Sequence, residues 1–288
     1  MPAVNRGLLL HTGGMEERPG PPRPGALAGL LACVLALASC GEARGTLVTT
    51  AGAPAFHPTA GASWQVQLTG TLDTTVDASL YEVDAFDAPA ATIDRLHADG
   101  RRVICFLSVG TDEPWRDDAM MFPPAAVGNP LARFPNERWL DTRDATVRAL
   151  MATRLDGAAA KGCEGVDLSN LSPDGADTGF PLTQADVLGF AGVMANEAHR
   201  RGLGAGLGGG TAIATDAVAT FDWALSEGCV AAGTCADFSA FLGASKVVLD
   251  VEFGAAADVG TICPAARSAG LDAIIKTPAY DAFRVPCP

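Results

Sequence analysis

Short apolar runs that alternate with helix-like segments constrain the fold of this chain most strongly. Eight runs have the length of a β-strand: residues 64–68, 80–83, 103–109, 165–168, 204–207, 223–225, 246–251 and 273–275. Near-continuously apolar strands separated by helices are typical of a parallel sheet covered by helices. Eight such units favour a single α/β domain folded as a (β/α)8 TIM barrel. An open doubly wound sheet is the alternative.

Apolar spacing predicts the helices between these runs. Between Thr183 and Arg201 the apolar residues recur at helical intervals, and Thr183 with Asp186 has the spacing of a capping box. A second helix is predicted over residues 143–160. Residues 71–79, by contrast, are too few and too polar for a full helix.

The first forty residues have the pattern of a signal peptide. Arg18 and Arg23 precede an apolar run at residues 26–38, which is shorter than the roughly 20 residues that a membrane-spanning helix needs. Residues 37–40, Leu-Ala-Ser-Cys, resemble a bacterial lipobox, and they predict cleavage before Cys40 and lipidation of its thiol. An ordinary secretory signal cleaved nearby is the alternative. Either signal places the mature protein outside the cytoplasm.

Composition then divides the chain into three parts. Residues 1–40 form the predicted signal peptide, and residues 41–63, rich in Gly, Ala, Pro and Thr, a flexible linker. Residues 64–288 form the barrel. The net charge of -13 argues against nucleic acid or an anionic membrane surface as partner, and it favours a cationic ligand. We expect a monomer that contacts a membrane only through a lipid anchor.

Six cysteines remain after the predicted signal peptide, and they are Cys105, Cys163, Cys229, Cys235, Cys263 and Cys287. An even number in an oxidising compartment predicts disulfides, with Cys229 and Cys235 as the favoured pair. No CxxC pair occurs and the four histidines do not cluster, so no metal site is predicted. Residues 204–209 satisfy GxGxxG, but the glycines lie within a predicted strand, and no cofactor is predicted.

Polar residues follow most of the predicted strands. In a barrel these positions converge on one mouth. The set comprises Gln67, Asp84, Asp87, Ser108, Glu113, Asp167, Ser169, Asn170, Glu227, Glu252 and Lys276. Several carboxylates in one cleft repel one another and raise at least one pKa, which pairs a proton donor with an ionised partner. Glycoside hydrolases use such pairs. The alternative role of each acid is a helix cap or a solvated rim charge.

These residues resemble glycoside hydrolase family 114, whose founding activity is endo-α-1,4-polygalactosaminidase. The resemblance covers residues 64–287. It is carried by Trp-Gln-Val-Gln-Leu-Thr-Gly at 64–70, Tyr-Glu-Val-Asp-Ala-Phe-Asp at 81–87 and Val-Ile-Cys-Phe-Leu-Ser-Val-Gly at 103–110, among other segments. It implies a TIM barrel, an extracellular setting and a galactosamine-containing polysaccharide substrate. A partly deacetylated polymer of this kind is cationic, in agreement with the acidic chain.

The resemblance also implies two catalytic carboxylates. Glu227, in Ser-Glu-Gly-Cys at 226–229, matches one of them. Ser169 stands at the position of the other, in Asp-Leu-Ser-Asn at 167–170. A retaining hydrolase needs a carboxylate nucleophile, and a serine without an adjacent base cannot replace it. Asp167, two residues earlier on the same strand face, is therefore the predicted base or nucleophile.

Two functions follow from this set. The first is a glycoside hydrolase in which Glu227 and Asp167 are catalytic, and the predicted substrate-binding residues are Asp84, Ser108, Ser169, Asn170, Glu252 and Lys276. The second is a degenerate barrel that binds glycan without cleaving it, which the serine at 169 and the glycines at 208–210 favour. We prefer the hydrolase because Glu227 is retained.

Overall fold

The computed structural model describes residues 56–287. The predicted signal peptide at 1–40, with Cys40, and residues 41–55 of the predicted linker lie outside this range. The last linker residues lie against the sheet. Phe56 packs edge-on against Trp223, with ring centroids 6.1 Å apart, and the Gly61 N–H donates to the Asp272 carboxylate at 2.8 Å. The packed chain therefore begins by Phe56, ahead of the predicted start at residue 64.

Twelve strands occur in the described residues. They are β1 Trp64–Gln67, β2 Leu80–Asp84, β3 Arg102–Ser108, β4 Thr111–Asp112, β5 Val127–Pro130, β6 Arg138–Leu140, β7 Gly165–Ser169, β8 Gly204–Gly208, β9 Trp223–Glu227, β10 Val248–Phe253, β11 Asp272–Lys276 and β12 Val285–Pro286. The main sheet has the order β1-β2-β3-β7-β8-β9-β10-β11-β12, and β4, β6 and β5 form a small antiparallel sheet.

Seven α-helices occur in the same range. They are α1 Ala90–Ala98, α2 Ala145–Ala160, α3 Gln184–Arg200, α4 Ala214–Ala217, α5 Cys229–Ala232, α6 Ser239–Gly243 and α7 Val259–Ser268. α3 has the predicted capping box of Thr183 and Asp186, and its predicted apolar stripe is buried. Between residues 56 and 287, no helix combines the length and the apolar character that crossing a membrane requires.

The main sheet curls in the manner of a barrel. Its first eight strands are parallel and follow chain order, without the reversal of an open doubly wound sheet. β1 and β11 do not pair directly within residues 56–287, and the C-terminal segment lies between them. Tyr280 O accepts the N–H of Leu68 at 2.9 Å, Arg284 Nε donates to Trp64 O at 2.6 Å, and β12 pairs antiparallel with β11.

The predicted α/β fold is thus confirmed as a curled, helix-covered sheet of eight parallel strands, whereas a full (β/α)8 TIM barrel is not confirmed. Regular (β/α)8 repetition is not found in residues 56–287. No helix joins β1 to β2, the small β4–β6 sheet follows β3, and α4 and α5 are only four residues long.

Alternate strand residues pack into two apolar layers. One layer fills the concave side of the sheet and includes Trp64, Leu80, Ile104, Trp223 and Leu249, whereas the other lies between the sheet and the helices. Glycines make room for the Trp223 indole. A Cβ atom at Gly206 would overlap the indole ring, and one at Gly165 would lie 2.7 Å from it. The GxGxxG pattern is therefore a packing feature, in which glycines on β8 admit a large side chain.

Three disulfides bridge the six cysteines. Cys229–Cys235 confirms the predicted pair, and Cys105–Cys163 and Cys263–Cys287 complete the set. Cys105–Cys163 ties β3 to the turn before β7. Cys263–Cys287 ties α7 to the C-terminal segment that lies between β11 and β1. The disulfides therefore join segments that are not connected by backbone hydrogen bonds at these residues.

Candidate active site

A cavity of about 640 Å³ opens at the carboxyl ends of the parallel strands, where barrel enzymes place their chemistry. Its ionisable wall residues are Asp84, Asp87, Glu113, Glu137, Asp174, Glu227 and Arg116, which is six carboxyl groups against one guanidinium. Aromatic side chains add apolar surface, and they are Phe106, Trp115, Phe134, Phe238 and Tyr280. The predicted acidic mouth is therefore present.

Glu227, the last residue of β9, lies at the cavity wall with 31% of its side chain exposed. Arg133 Nη1 donates to Glu227 Oε2 at 2.7 Å, and the Tyr280 hydroxyl donates to Oε1. Burial, followed by the charge of Glu227, raises the pKa of Tyr280 well above its usual value. Tyr280 therefore stays protonated as a donor, and the two donors fix the orientation of an accessible carboxylate.

Ser169 and Asp167 project from β7 on the same face, as their spacing predicts. Ser169 lies at the cavity wall, whereas Asp167 is only 1% exposed and lies behind it. Ser169 Oγ donates a hydrogen bond to Asp167 Oδ2 at 2.9 Å. The serine hydroxyl thus has a carboxylate acceptor beside it, which the sequence pattern did not reveal.

Glu82 on β2 faces Asp167 in the interior of the sheet. Both side chains are buried, and Glu82 Oε2 and Asp167 Oδ1 accept no hydrogen bond from a donor within residues 56–287. A hydrogen bond between the two carboxyl groups would require one of them to keep its proton and donate it to the other. Burial and the charge of Asp167 raise the pKa of Glu82 well above its usual value. Burial raises the pKa of Asp167 to about 7, with a further increase from Glu227.

Glu82 was not among the predicted site residues, because these are polar residues at or just beyond the end of a strand. Glu82 lies in the middle of β2, two residues before Asp84 and therefore on the same face. A buried acid between apolar neighbours, Tyr81 and Val83, was the available signal.

Asp84 lies at the cavity wall but is already paired. Arg116 Nη2 donates to Asp84 Oδ2 at 2.6 Å and to Glu113 Oε1 at 2.9 Å, and the backbone N–H groups of Phe86 and Asp87 donate to Asp84 Oδ1. The carboxylate therefore holds Arg116 in place in the cavity wall. Its remaining freedom to bind a ligand is small.

A line of hydrogen bonds connects Asn170 to Glu137 across the cavity floor. Asn170 Nδ2 donates to Ser108 Oγ at 2.7 Å, the hydroxyls of Ser108 and Thr111 share a hydrogen bond, and Thr111 Oγ1 donates to Glu137 Oε2 at 2.9 Å. Burial raises the pKa of Glu137 to about 7. Ser108 itself is buried beneath the wall. Glu137, which directly precedes β6 in the inserted small sheet, is a second acid that does not follow a predicted strand.

Glu252 and Lys276 are not brought into the cavity wall. Glu252 Oε1 accepts the N–H of Val230 at 2.7 Å, at the start of α5. Lys276 Nζ donates to Gln65 Oε1 at 3.1 Å and to Asp281 O at 2.7 Å. Burial lowers the pKa of Lys276 to about 8. Glu252 therefore caps a helix, and Lys276 links β11 to β1 and the C-terminal segment.

Cys229, Asp250 and Glu252 bring three potential ligand atoms together among the described residues. Cys229 Sγ is bonded to Cys235, however, so the thiolate that a metal would require is absent. The residues present do not fit a metal ion.

Comparison with known proteins agrees with this geometry. The sequence model of glycoside-hydrolase family GH114 matches residues 45–288. Aspergillus fumigatus Ega3, solved in complex with galactosamine, is 33% identical over 81% of this chain and 97% of its own, with a TM-score of 0.77. The glycoside hydrolase domain of PelA from Pseudomonas aeruginosa is 15% identical over 78% of this chain and 98% of its own, with a TM-score of 0.62, and supports the fold alone.

No curated protein sequence matches the chain. The family model nevertheless extends over most of its length, and Ega3 is 33% identical over 81% of the chain. The chain therefore belongs to glycoside-hydrolase family GH114.

Proposed function

We propose that the protein cleaves a galactosamine-containing polysaccharide outside the cytoplasm, as an endo-α-1,4-polygalactosaminidase-like hydrolase. The observation that carries the proposal is Glu227, an accessible carboxylate held by two donors at the wall of an acidic cavity. Ega3, which was solved with galactosamine bound, supports the choice of sugar.

In this proposal Glu227 protonates the oxygen of the leaving sugar. A general acid must reach the glycosidic oxygen, and Glu227 meets that condition because its carboxyl group faces the open cavity. Asp167 supplies the base, with its proton affinity raised by burial between Glu82 and Ser169. The exposed carboxyl group of Glu227 thus acts as the acid, and the buried carboxyl group of Asp167 acts as the base.

Charge and shape favour an amino-sugar polymer. A galactosamine unit with a free amine is cationic, and the cavity wall holds six carboxyl groups against one guanidinium. Trp115 and Phe134 are 54% and 39% exposed at the cavity wall. Their flat apolar rings provide surfaces on which the faces of sugar rings can pack.

The three disulfides support a location in an oxidising compartment. We propose in addition that residues 1–40 direct export, that Cys40 carries the lipid anchor, and that residues 41–55 act as a tether. We also propose that the protein works as a monomer.

A second function, binding of the polymer without cleavage, is favoured by the serine at position 169, where the resemblance implies a carboxylate. Incubation of the protein with a partly deacetylated α-1,4-galactosamine polymer distinguishes cleavage from binding alone. Hydrolysis predicts new reducing ends and shorter chains in size-exclusion chromatography. Saturable binding with no new reducing ends would support the second function and contradict the first.

A further inference from the structure

We propose that Ser169, Asp167 and Glu82 form a proton relay that activates water for attack on the sugar, so that cleavage inverts the anomeric configuration. This inference rests on the proposed hydrolase function. Ser169 is the catalytic residue in it because its hydroxyl contacts the reacting water. Asp167 and Glu82 act through Ser169.

The position of Asp167 requires an intermediary. Its carboxyl group is 1% exposed and lies outside the cavity wall, so it cannot contact a sugar directly. Ser169 is in the wall and donates its hydroxyl hydrogen to Asp167 Oδ2 at 2.9 Å. The hydroxyl oxygen is left with lone pairs that can accept a proton from a water in the cavity.

The neighbouring strand leaves room for this arrangement. Gly208 on β8 lies beside the pair, and a Cβ atom there would overlap both Asp167 Oδ1 and Ser169 Oγ. Gly208 and Gly209 themselves line the cavity. The glycines therefore keep Ser169 open to water where a side chain would displace its hydroxyl.

Glu82 sets the charge of the relay. Two buried carboxyl groups that act on each other cannot both be ionised without a large cost, so the pair holds one proton and one negative charge. The ionisable groups that act on Asp167 are Glu82 from β2 and Glu227 from β9, and Ser169 donates to it. The charge of Glu227 raises the pKa of Asp167, whereas the interaction with the Glu82 carboxyl group lowers it.

The proposed step conserves atoms and charge. Water transfers one proton to Ser169 Oγ while the serine proton moves to Asp167 Oδ2. The water oxygen forms a bond to the anomeric carbon, and the bond from that carbon to the glycosidic oxygen breaks. Glu227 transfers its proton to the departing oxygen. Asp167 ends protonated and Glu227 ionised, and exchange with solvent restores both groups.

A single displacement fits this geometry better than a covalent intermediate. A retaining enzyme needs its nucleophilic carboxylate against the sugar, at roughly 5 Å from the acid. Asp167 is recessed behind Ser169 by the length of a hydrogen bond. A recessed base leaves space for a water between itself and the sugar, as inverting enzymes require.

The test is the anomeric configuration of the first product, measured by NMR before mutarotation, together with kcat, KM and pH profiles of variants. The relay predicts the β-anomer from an α-linked polymer. Ser169→Ala is expected to lower kcat by about 10²-fold or more, with KM within about threefold of wild type. Asp167→Asn should lose a comparable factor.

Glu82 is tested by a shift in pH dependence that a purely structural role would not produce. Glu82→Leu removes a group that lowers the pKa of Asp167, so the acidic limb of the kcat profile should move up by about one pH unit. Glu82→Gln keeps a donor at this position and should leave the limb close to wild type. Asp250 is a buried acid on the other face of the sheet. The variant Asp250→Asn is therefore the matched control, and it should leave kcat unchanged.

A product with retained configuration would overturn the relay, as would wild-type kcat in folded Ser169→Ala. Thermal unfolding of each variant establishes that it is folded. Full loss of activity in Glu137→Gln with none in Ser169→Ala would place the base at Glu137 and also overturn the relay. If the wild-type protein does not cleave the polymer, the hydrolase function itself fails, which is distinct from an active enzyme with the wrong stereochemistry.

Discussion

At the scale of single residues, Asp167 and Asp250 show that burial of an acid does not by itself place it in the active site. Both are buried strand acids, and burial raises the pKa of each to about 7. Asp167 connects to the cavity through Ser169, whereas Asp250 is absent from the cavity wall. A raised pKa therefore identifies a candidate base only when a hydrogen-bonded path leads to the substrate cavity.

Asp250 also carries a stability prediction. Its pKa rises from 3.8 to about 7 on folding, first through burial and then through the charge of Glu252. Between these values the folded state holds a proton that the unfolded chain has released, so stability falls as pH rises through this window. Asp250→Asn should therefore stabilise the protein at pH 8, by up to about 4 kcal/mol, and have little effect near pH 4. Urea unfolding at both pH values measures this, and equal or lower stability of the variant at pH 8 would contradict it.

At the scale of elements, periodicity predicted the long helices and the parallel strands closely. The predicted helix between Thr183 and Arg201 is observed as Gln184–Arg200, because capping and an apolar stripe are local signals. The inserted small sheet was missed, since short antiparallel strands leave little periodicity in the sequence. Glu252 and Lys276 were placed at the mouth because they end apolar runs. Side chains alternate between the faces of a strand, however, so the position of Glu252 along β10 does not settle which side it faces. The Lys276 ammonium group instead donates to Gln65 and to the backbone of Asp281, which are distant in sequence or follow the strand.

The lengths of chain that two of the disulfides enclose predict how much stability each bridge contributes. In the loop-closure account, a bridge between residues 58 positions apart contributes about 4 kcal/mol and one between residues 6 apart about 2 kcal/mol. Replacing Cys105 and Cys163 with alanine should thus cost more stability than the same change at Cys229 and Cys235. The larger loss of activity should instead follow replacement of Cys229 and Cys235, because Cys229 lines the cavity two residues from Glu227. Urea unfolding measures the loss of stability and polymer cleavage the loss of activity. The prediction is contradicted if the same pair of cysteines causes the larger loss in both measurements.

At the scale of the whole molecule, charge should govern substrate capture. The chain carries a net charge of -13 and the cavity wall is acidic. Raising ionic strength from about 0.01 M to about 0.15 M shortens the Debye length from about 30 Å to about 8 Å, and KM for a partly deacetylated polymer should rise roughly threefold or more. A fully N-acetylated, neutral polymer provides the control. An equal salt response for both polymers would show that charge is not what attracts the substrate.

Composition and strand-end residues predicted an acidic mouth and Glu227 within it, since both depend on features that repeat along the chain. The partners of that acid could not be predicted. Arg133 and Tyr280 come from distant loops, and Glu82 meets Asp167 only when the sheet curls. The site is therefore a property of the folded sheet more than of any one motif.

The most direct test of the account is the rate at which Glu227→Gln releases reducing ends from partly deacetylated α-1,4-galactosamine polymer. The matched control, Asp99→Asn, removes an exposed carboxylate at the end of α1, outside the cavity wall. We predict that the control cleaves at the wild-type rate and that Glu227→Gln is slower by about 10²-fold or more, because the leaving oxygen loses its proton donor. Cleavage by Glu227→Gln at the wild-type rate would contradict the assignment of Glu227 as the acid.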